Sequence, residues 1–436
     1  MTAPSPAGPS RTRRTLTRFR GPGSARTVAA TALVNVGSTV IAATAGVVLA
    51  RSLGPSDRGD YAAVVAWFGV VLIIGELVQT AATTYYVARH PENARDYTAT
   101  SRVMMTVTGA VTAGVGFLVA PLLAHGDSDL LLSYRVVFVV CLPVFVGASY
   151  SFALQATSIA RWNVMRIAQP IAYLTLVVLA QAADHLDLVV ATGVLAFTVT
   201  AQAALSYGLA RHSGLTGGRA RREHVRPLTR YGFSQVLASA PQTFNGRLDQ
   251  LVLSQTVRSS ELGHYAVAVT LSGLAVPVVS ALGNVLFPRL AAMKHGGPAE
   301  RRLVRSAVLL SSVVALVVVG ILTATAFVTV PLVFGHEYDA SVQLVWLLAP
   351  AGVLLASTQV ASDLLRGRGQ PGLVARAQAV GLVFTVILLA ALIPRWGAAG
   401  AAVATGVACA VTWALLMRGL RGGRDKIDDS RDGRSR

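Results

Sequence analysis

Residues 306–334 read SAVLLSSVVALVVVGILTATAFVTVPLVF, 29 positions without one acidic or basic side chain. Arg301, Arg302 and Arg305 stand just before the run, and Glu337 and Asp339 just after it. About 20 such residues cross the hydrocarbon of a bilayer as a helix. Lipid offers backbone groups no hydrogen-bond partner, so only helices and closed barrels can span it. A continuous apolar run, as opposed to an alternating one, selects the helix. Its flanks orient it as well, because cationic ends are retained on the cytoplasmic side.

Outward from this run the pattern repeats. About twelve apolar segments cover 28–50, 61–87, 103–124, 134–157, 163–183, 187–210, 231–256, 263–288, 306–334, 341–365, 373–393 and 397–417. Of the 38 Lys and Arg residues, 32 fall in the two tails or in and around every second gap. The alternate gaps hold only Arg51, Arg58, Arg135, Arg258 and Arg395, and Arg247 lies inside a segment. Acidic residues favour those alternate gaps: Asp57, Asp60, Asp127, Asp129, Asp184, Asp187, Glu261, Glu337 and Asp339. An even number of spans with cationic tails puts both termini in the cytoplasm and the chain in a bacterial cytoplasmic membrane. The net charge of +18 then expresses retention of cations inside and attraction to anionic lipid, and no nucleic-acid partner is expected.

Composition excludes other classes. With 53% hydrophobic and 13% charged residues, the chain cannot solvate itself as a globule. Cys141 and Cys409 both lie inside apolar segments, so neither a disulfide framework nor a metal or cofactor site is expected. The loops leave no room for a soluble catalytic domain, which argues against an enzyme.

The organisation expected is a basic disordered tail (1–27), a six-helix lobe (28–210), a basic linker (211–230), a second six-helix lobe (231–417) and a charged tail (418–436). A weak internal repeat supports two related halves. Arg51-Ser52 is followed by Gly59-Asp60-Tyr61-Ala62, and Arg258-Ser259 by Gly263-His264-Tyr265-Ala266, at matching topological positions. Six spans separate them, so the halves share orientation, as in parallel transporter repeats.

Polarity inside the spans marks candidate site residues. At roughly 100° per residue, Thr243, Arg247, Gln250 and Ser254 share one face of segment seven, with Gln242 and Asp249 adjoining. Glu76 and Gln79 lie on segment two, Asn35 on segment one and Gln155 on segment four. A charge near mid-bilayer costs about 2.5–3.5 kcal/mol or more, so Glu76 and Arg247 are expected either to line a shared cavity or to lock the halves together as a pair. Glu76 and Asp249 are also candidates for a coupling cation. Arg161, Arg166 and Arg376, near inner helix ends, are either a phosphate vestibule or ordinary anchors.

Several short motifs, in order, resemble polysaccharide-export flippases. Leu53-Gly54-Pro55-Ser56-Asp57-Arg58-Gly59-Asp60-Tyr61-Ala62 resembles the signature that opens their second helix. Arg247-Leu248-Asp249-Gln250, Leu262-Gly263-His264-Tyr265-Ala266, Phe287-Pro288, Phe334-Gly335-His336-Glu337-Tyr338 and Trp396-Gly397-Ala398-Ala399-Gly400-Ala401-Ala402 are similar to later elements. The resemblance implies the multidrug/oligosaccharidyl-lipid/polysaccharide (MOP) exporter superfamily. That in turn implies an all-α polytopic protein of two six-helix lobes in a V around a central cavity. It also implies alternating access and a polyprenyl-diphosphate-linked oligosaccharide as cargo. Membrane lipid and a polysaccharide polymerase or glycosyltransferase are the expected partners. A cation-coupled exporter of small amphipathic molecules is the alternative in the same fold.

Overall fold

The computed structural model describes residues 22–280 and 297–422, apart from the side chains of 22–29, 77, 78, 234, 237–239, 301 and 422. Most of both tails, the end of segment eight and Phe287-Pro288 lie outside the described residues. The helices are α1 (Pro22–Arg89), α2 (Ala94–Leu123), α3 (Ser128–Thr157), α4 (Ile159–Ala182), α5 (Leu188–His212) and α6 (Arg222–Asn245), then α7 (Leu248–Thr256), α8 (Ser259–Ser272), α9 (Pro298–Ala324), α10 (Ala326–Phe334), α11 (Ser341–Gly367) and α12 (Pro371–Gly422). No strand occurs among the described residues.

The helices do not correspond one to one with the twelve segments. α1 carries segments one and two, kinked at Gly54 (φ 69°) just before Pro55. α12 carries segments eleven and twelve, kinked at Gly397 (φ 52°). Segments seven and nine are each split, into α6 with α7 and α9 with α10. α1 also starts at Pro22, inside the tail expected to run to residue 27. Multi-pass membrane architecture follows from these long apolar helices.

The charge sorting reappears as two faces. Acidic residues on one face double as helix caps: the Asp127 carboxylate accepts from the Asp129 and Leu130 amides at 2.9 and 2.8 Å. Asp187 accepts from the Val190 amide at 2.7 Å. A carboxylate at a helix N-terminus satisfies orphan amides and complements the helix dipole. The opposite, cationic face holds the ends of α1 and α11 and the starts of α6 and α9.

At the acidic face the two halves meet through the repeat. A methyl carbon on Gly59 would lie 1.7 Å from the Ser259 carbonyl oxygen, and one on Gly263 would lie 2.0 Å from that of Pro55. Only glycine permits helices to cross this closely. Around the crossing, Ser259 Oγ bonds Asp60 Oδ1 at 2.5 Å, Arg51 Nε donates to the Val333 carbonyl at 2.7 Å, and the Tyr338 hydroxyl donates to the Ala50 carbonyl at 2.9 Å.

Candidate translocation path

Segment seven supplies the polar seam, but not as one continuous helix. The chain leaves α6 at Gly246, and Arg247 adopts non-helical dihedrals (φ −135°, ψ −16°) as the residue capping α7. Thr243 and Gln250 therefore do not share the uninterrupted stripe that the sequence spacing predicts. Pro241 precedes the break by about a turn and a half and denies α6 the hydrogen bond to the carbonyl one turn earlier.

The break is anchored on both halves. Asn245 Oδ1 accepts from Thr385 Oγ1 at 2.8 Å, and Gln242 donates to Gln359 Oε1 at 3.2 Å. Arg366 joins this cluster, 2.8 Å from Gln242 Oε1 and 3.2 Å from Asp363 Oδ1. On the other side the Arg247 guanidinium lies over Gly69 of α1, its Nε 3.7 Å from where a Cβ would stand. Trp67 Nε1, in the same turn of α1, donates to Ser254 Oγ at 3.2 Å. Ala66, Val70 and Leu251 form a small apolar cluster at this crossing, with Trp67 and Phe244 packed against it.

Glu76 and Arg247 do not form an ion pair. Gly69 and Glu76 are seven residues apart, about 10 Å along the axis. Glu76 instead lines a cavity of about 240 Å³ inside the first half, shared with Ser151, Trp162, Arg166, Gln202 and Ser206. The Arg166 guanidinium stacks over Trp162, 4.4 Å from the ring centroid. Neither an ion pair nor a hydrogen bond engages the Glu76 carboxylate among the described residues.

The remaining predicted residues scatter. Gln79 is 2% exposed and faces α2, its Nε2 3.6 Å from Met104 Sδ. Gln155 accepts from Thr84 at 3.2 Å, tying α3 to α1. Asn35 is exposed, while Thr243 and Gln250 are half-buried. Asp249 is buried and takes a 2.5 Å hydrogen bond from the Tyr265 hydroxyl, so the repeat tyrosine holds it in the interior. Its counterpart Tyr61 bonds the Tyr173 hydroxyl. Arg161 bonds Ser213 Oγ, and Arg376 is exposed. No group of three or more His, Cys, Asp or Glu able to hold a metal occurs among the described residues.

A family model described as "Polysaccharide biosynthesis protein" matches residues 24–294. The chain belongs to this family. A relative from Haloferax volcanii, "Probable low-salt glycan biosynthesis flippase Agl15", is 26% identical over 198 residues, 44% of this chain and 41% of the relative. The match thus spans less than half of that relative's length. Among solved structures, an inward-facing multidrug resistance MATE transporter of the MOP superfamily superposes with TM-score 0.74 at 12% identity, covering 90% of this chain and 98% of that one. The lipid II flippase MurJ, in an inward closed conformation, gives TM-score 0.74 at 10% identity over 90% and 87% of the two chains. At such identities these show a shared fold, the MOP exporter architecture expected from the motifs.

Within this family fold, sequence reasoning missed two features. The Asn245–Thr385 contact joins a polar residue in segment seven to one in segment eleven, and nothing in either segment announces the other. An aromatic cluster gathers Tyr85, Tyr86, Tyr97, His224 and Tyr231 at the cationic face. The Tyr85-Tyr86 doublet at the end of a span was its visible sign.

Proposed function

We propose that this protein is a non-enzymatic flippase that moves a polyprenyl-diphosphate-linked oligosaccharide across the bacterial cytoplasmic membrane for cell-surface polysaccharide synthesis. The carrying observation is the broken, polar segment seven between the halves, with the Arg247 guanidinium at the break. A polar helix break and a cation within a span suit a polar headgroup whose lipid tail stays in the bilayer. Family membership and the glycan-flippase relative support the same reading.

On this reading the cationic face is cytoplasmic, both termini lie there, and the halves on either side of 211–230 rock against each other. The glycine crossing shuts the acidic face, leaving the path to load from the cytoplasm. Arg247, with Thr243 and Gln250 beside the break, contacts the headgroup, while Gln79 and Gln155 contribute through the packing of the first half. A polymerase or glycosyltransferase consumes the product outside. Purified protein is expected to carry a polyprenyl-diphosphate glycan detectable by mass spectrometry and to flip such a lipid in proteoliposomes. Arg247→Gln is expected to slow flipping at least about tenfold, the scale of one charge-assisted contact. Unaltered flipping by a folded Arg247→Gln protein would refute the assignment.

A cation-coupled exporter is the second reading, favoured by Glu76. A carboxylate in a cavity with no partner among the described residues calls for a proton or a sodium ion when ionised. Asp249, already bonded to Tyr265, is the weaker candidate. Glu76→Gln is expected to remove any pH or sodium dependence of transport with little change in melting temperature. Proton-driven dye efflux without glycolipid binding would replace the first reading by the second.

A further inference from the structure

At the cationic face, Tyr86, Arg226, Pro227, Arg230 and Tyr231 line an open cavity of about 510 Å³ between the end of α1 and the start of α6. Arg226 and Arg230 are one helical turn apart, so their guanidinium groups share a face of α6.

The neighbouring acids are already engaged. Asp96 takes Arg221 at 2.6 Å, Glu223 takes Arg221 at 3.3 Å, and Glu92 lies 3.4 Å from His90. Arg226 and Arg230 form no hydrogen bond or ion pair among the described residues and are exposed. Arg222 is exposed too but does not line the cavity. Retention of cations on the inner side explains their presence on this face. It does not explain why two of them converge on a concavity walled by tyrosines.

The aromatic wall is held rigid. Tyr231 stacks on Tyr85 with centroids 4.4 Å apart at 13°, and Tyr86 stacks on Tyr97 at 5.2 Å. Tyr97 in turn stacks on His224 at 3.9 Å. Stacked rings give a fixed, amphipathic surface at low entropic cost. Such a surface takes the apolar C–H face of a pyranose, and two guanidinium forks take phosphate oxygens.

We infer that this cavity is a loading site for a sugar diphosphate headgroup, with Arg226 and Arg230 on the phosphates and Tyr86 and Tyr231 against the first sugar. The inference rests on the flippase reading for its choice of ligand, and it adds a contact made before the headgroup reaches Arg247. Arg161, Arg166 and Arg376 are then not needed for loading.

The test is equilibrium binding to the full-length chain in phosphatidylcholine nanodiscs. The probes are farnesyl-diphosphate-linked N-acetylglucosamine, sugar-free farnesyl diphosphate and phosphatidylglycerol. The double variant R226Q/R230Q is expected to weaken both diphosphates by roughly tenfold or more, the scale of lost charge-assisted bonds, and to flatten their salt dependence. R226K/R230K should recover part of the loss. Tyr231→Leu should weaken the sugar-bearing probe several-fold and leave farnesyl diphosphate unchanged. Arg222→Gln should change neither. Melting temperatures identify any variant that fails to fold, and R226K/R230K then carries the test through its salt dependence.

Equal binding by wild type and R226Q/R230Q would overturn the site. So would phosphatidylglycerol competing as well as the sugar diphosphate, since that pattern reads a lipid surface. Binding that depends on these arginines in a protein that does not flip would sustain the site while the flippase reading fails. Flipping with binding indifferent to these arginines would do the reverse.

Discussion

The two ends of the seam between segments two, seven and eight are built from opposite materials. At the acidic end backbone meets backbone: Gly59 on Ser259, Gly263 on Pro55, with Arg51 and Tyr338 donating to main-chain carbonyls. At the cationic end side chains meet side chains: stacked tyrosines, Arg89 over Tyr85 at 5.6 Å, and Arg226 and Arg230 with no carboxylate partner among the described residues. Backbone contacts admit almost no variation in distance, because there is no side chain to rearrange. Stacked rings and unpaired guanidinium groups leave side-chain surface open to a ligand. The first end therefore behaves as a catch with one closed geometry, the second as a surface that accepts a guest.

The largest effect should come from Gly59→Ala, a single methyl. With the Ser259 oxygen 1.7 Å from the new carbon, the helices must part, at a cost on the order of 1–3 kcal/mol or above. A lower melting temperature is expected, together with a wider spin-label distance between positions 57 and 260. An unchanged distance would mean that the crossing is not what holds this face shut.

Tyr338→Phe sharpens the same comparison with a smaller change. It deletes the 2.9 Å bond to the Ala50 carbonyl while keeping the buried ring. The expected loss is about 1 kcal/mol, read from thermal unfolding in detergent and insensitive to salt. Arg89→Gln, at the opposite end, should cost no more than about 0.5 kcal/mol, and that difference should vanish in high salt. Equal salt sensitivity of the two variants would erase the distinction between the ends.

Which spans carry buried charge was legible in the sequence, and azimuth was not. Hydropathy put Glu76 and Arg247 inside spans, yet Glu76 opens into a cavity with Arg166 inside the first half, and Arg247 rests on Gly69 about two helical turns away. Which neighbour a buried charge meets depends on how each helix is rotated. That rotation is set by packing of small residues between helices, not by the span's own composition. Segment seven shows a second limit. The helical angles assigned to Thr243, Arg247, Gln250 and Ser254 assume an unbroken helix, and the break at Gly246 and Arg247 resets them. The repeat fared better, since its glycines and tyrosines occupy corresponding places: Gly59 with Gly263 at the crossing, and Tyr61 with Tyr265 in buried hydroxyl bonds.

The sequence by itself determined a polytopic helical membrane protein with two related halves, and it separated a cationic face from an acidic one. It could do so because lipid acts as a solvent on each residue in turn, so hydropathy and charge sorting need no knowledge of neighbours. Only the tertiary structure decided that Glu76 and Arg247 stand apart, that segment seven breaks at its cation, and that Arg226 and Arg230 share a tyrosine-walled cavity. Those outcomes depend on distances between helices remote in sequence, and close packing alone fixes such distances.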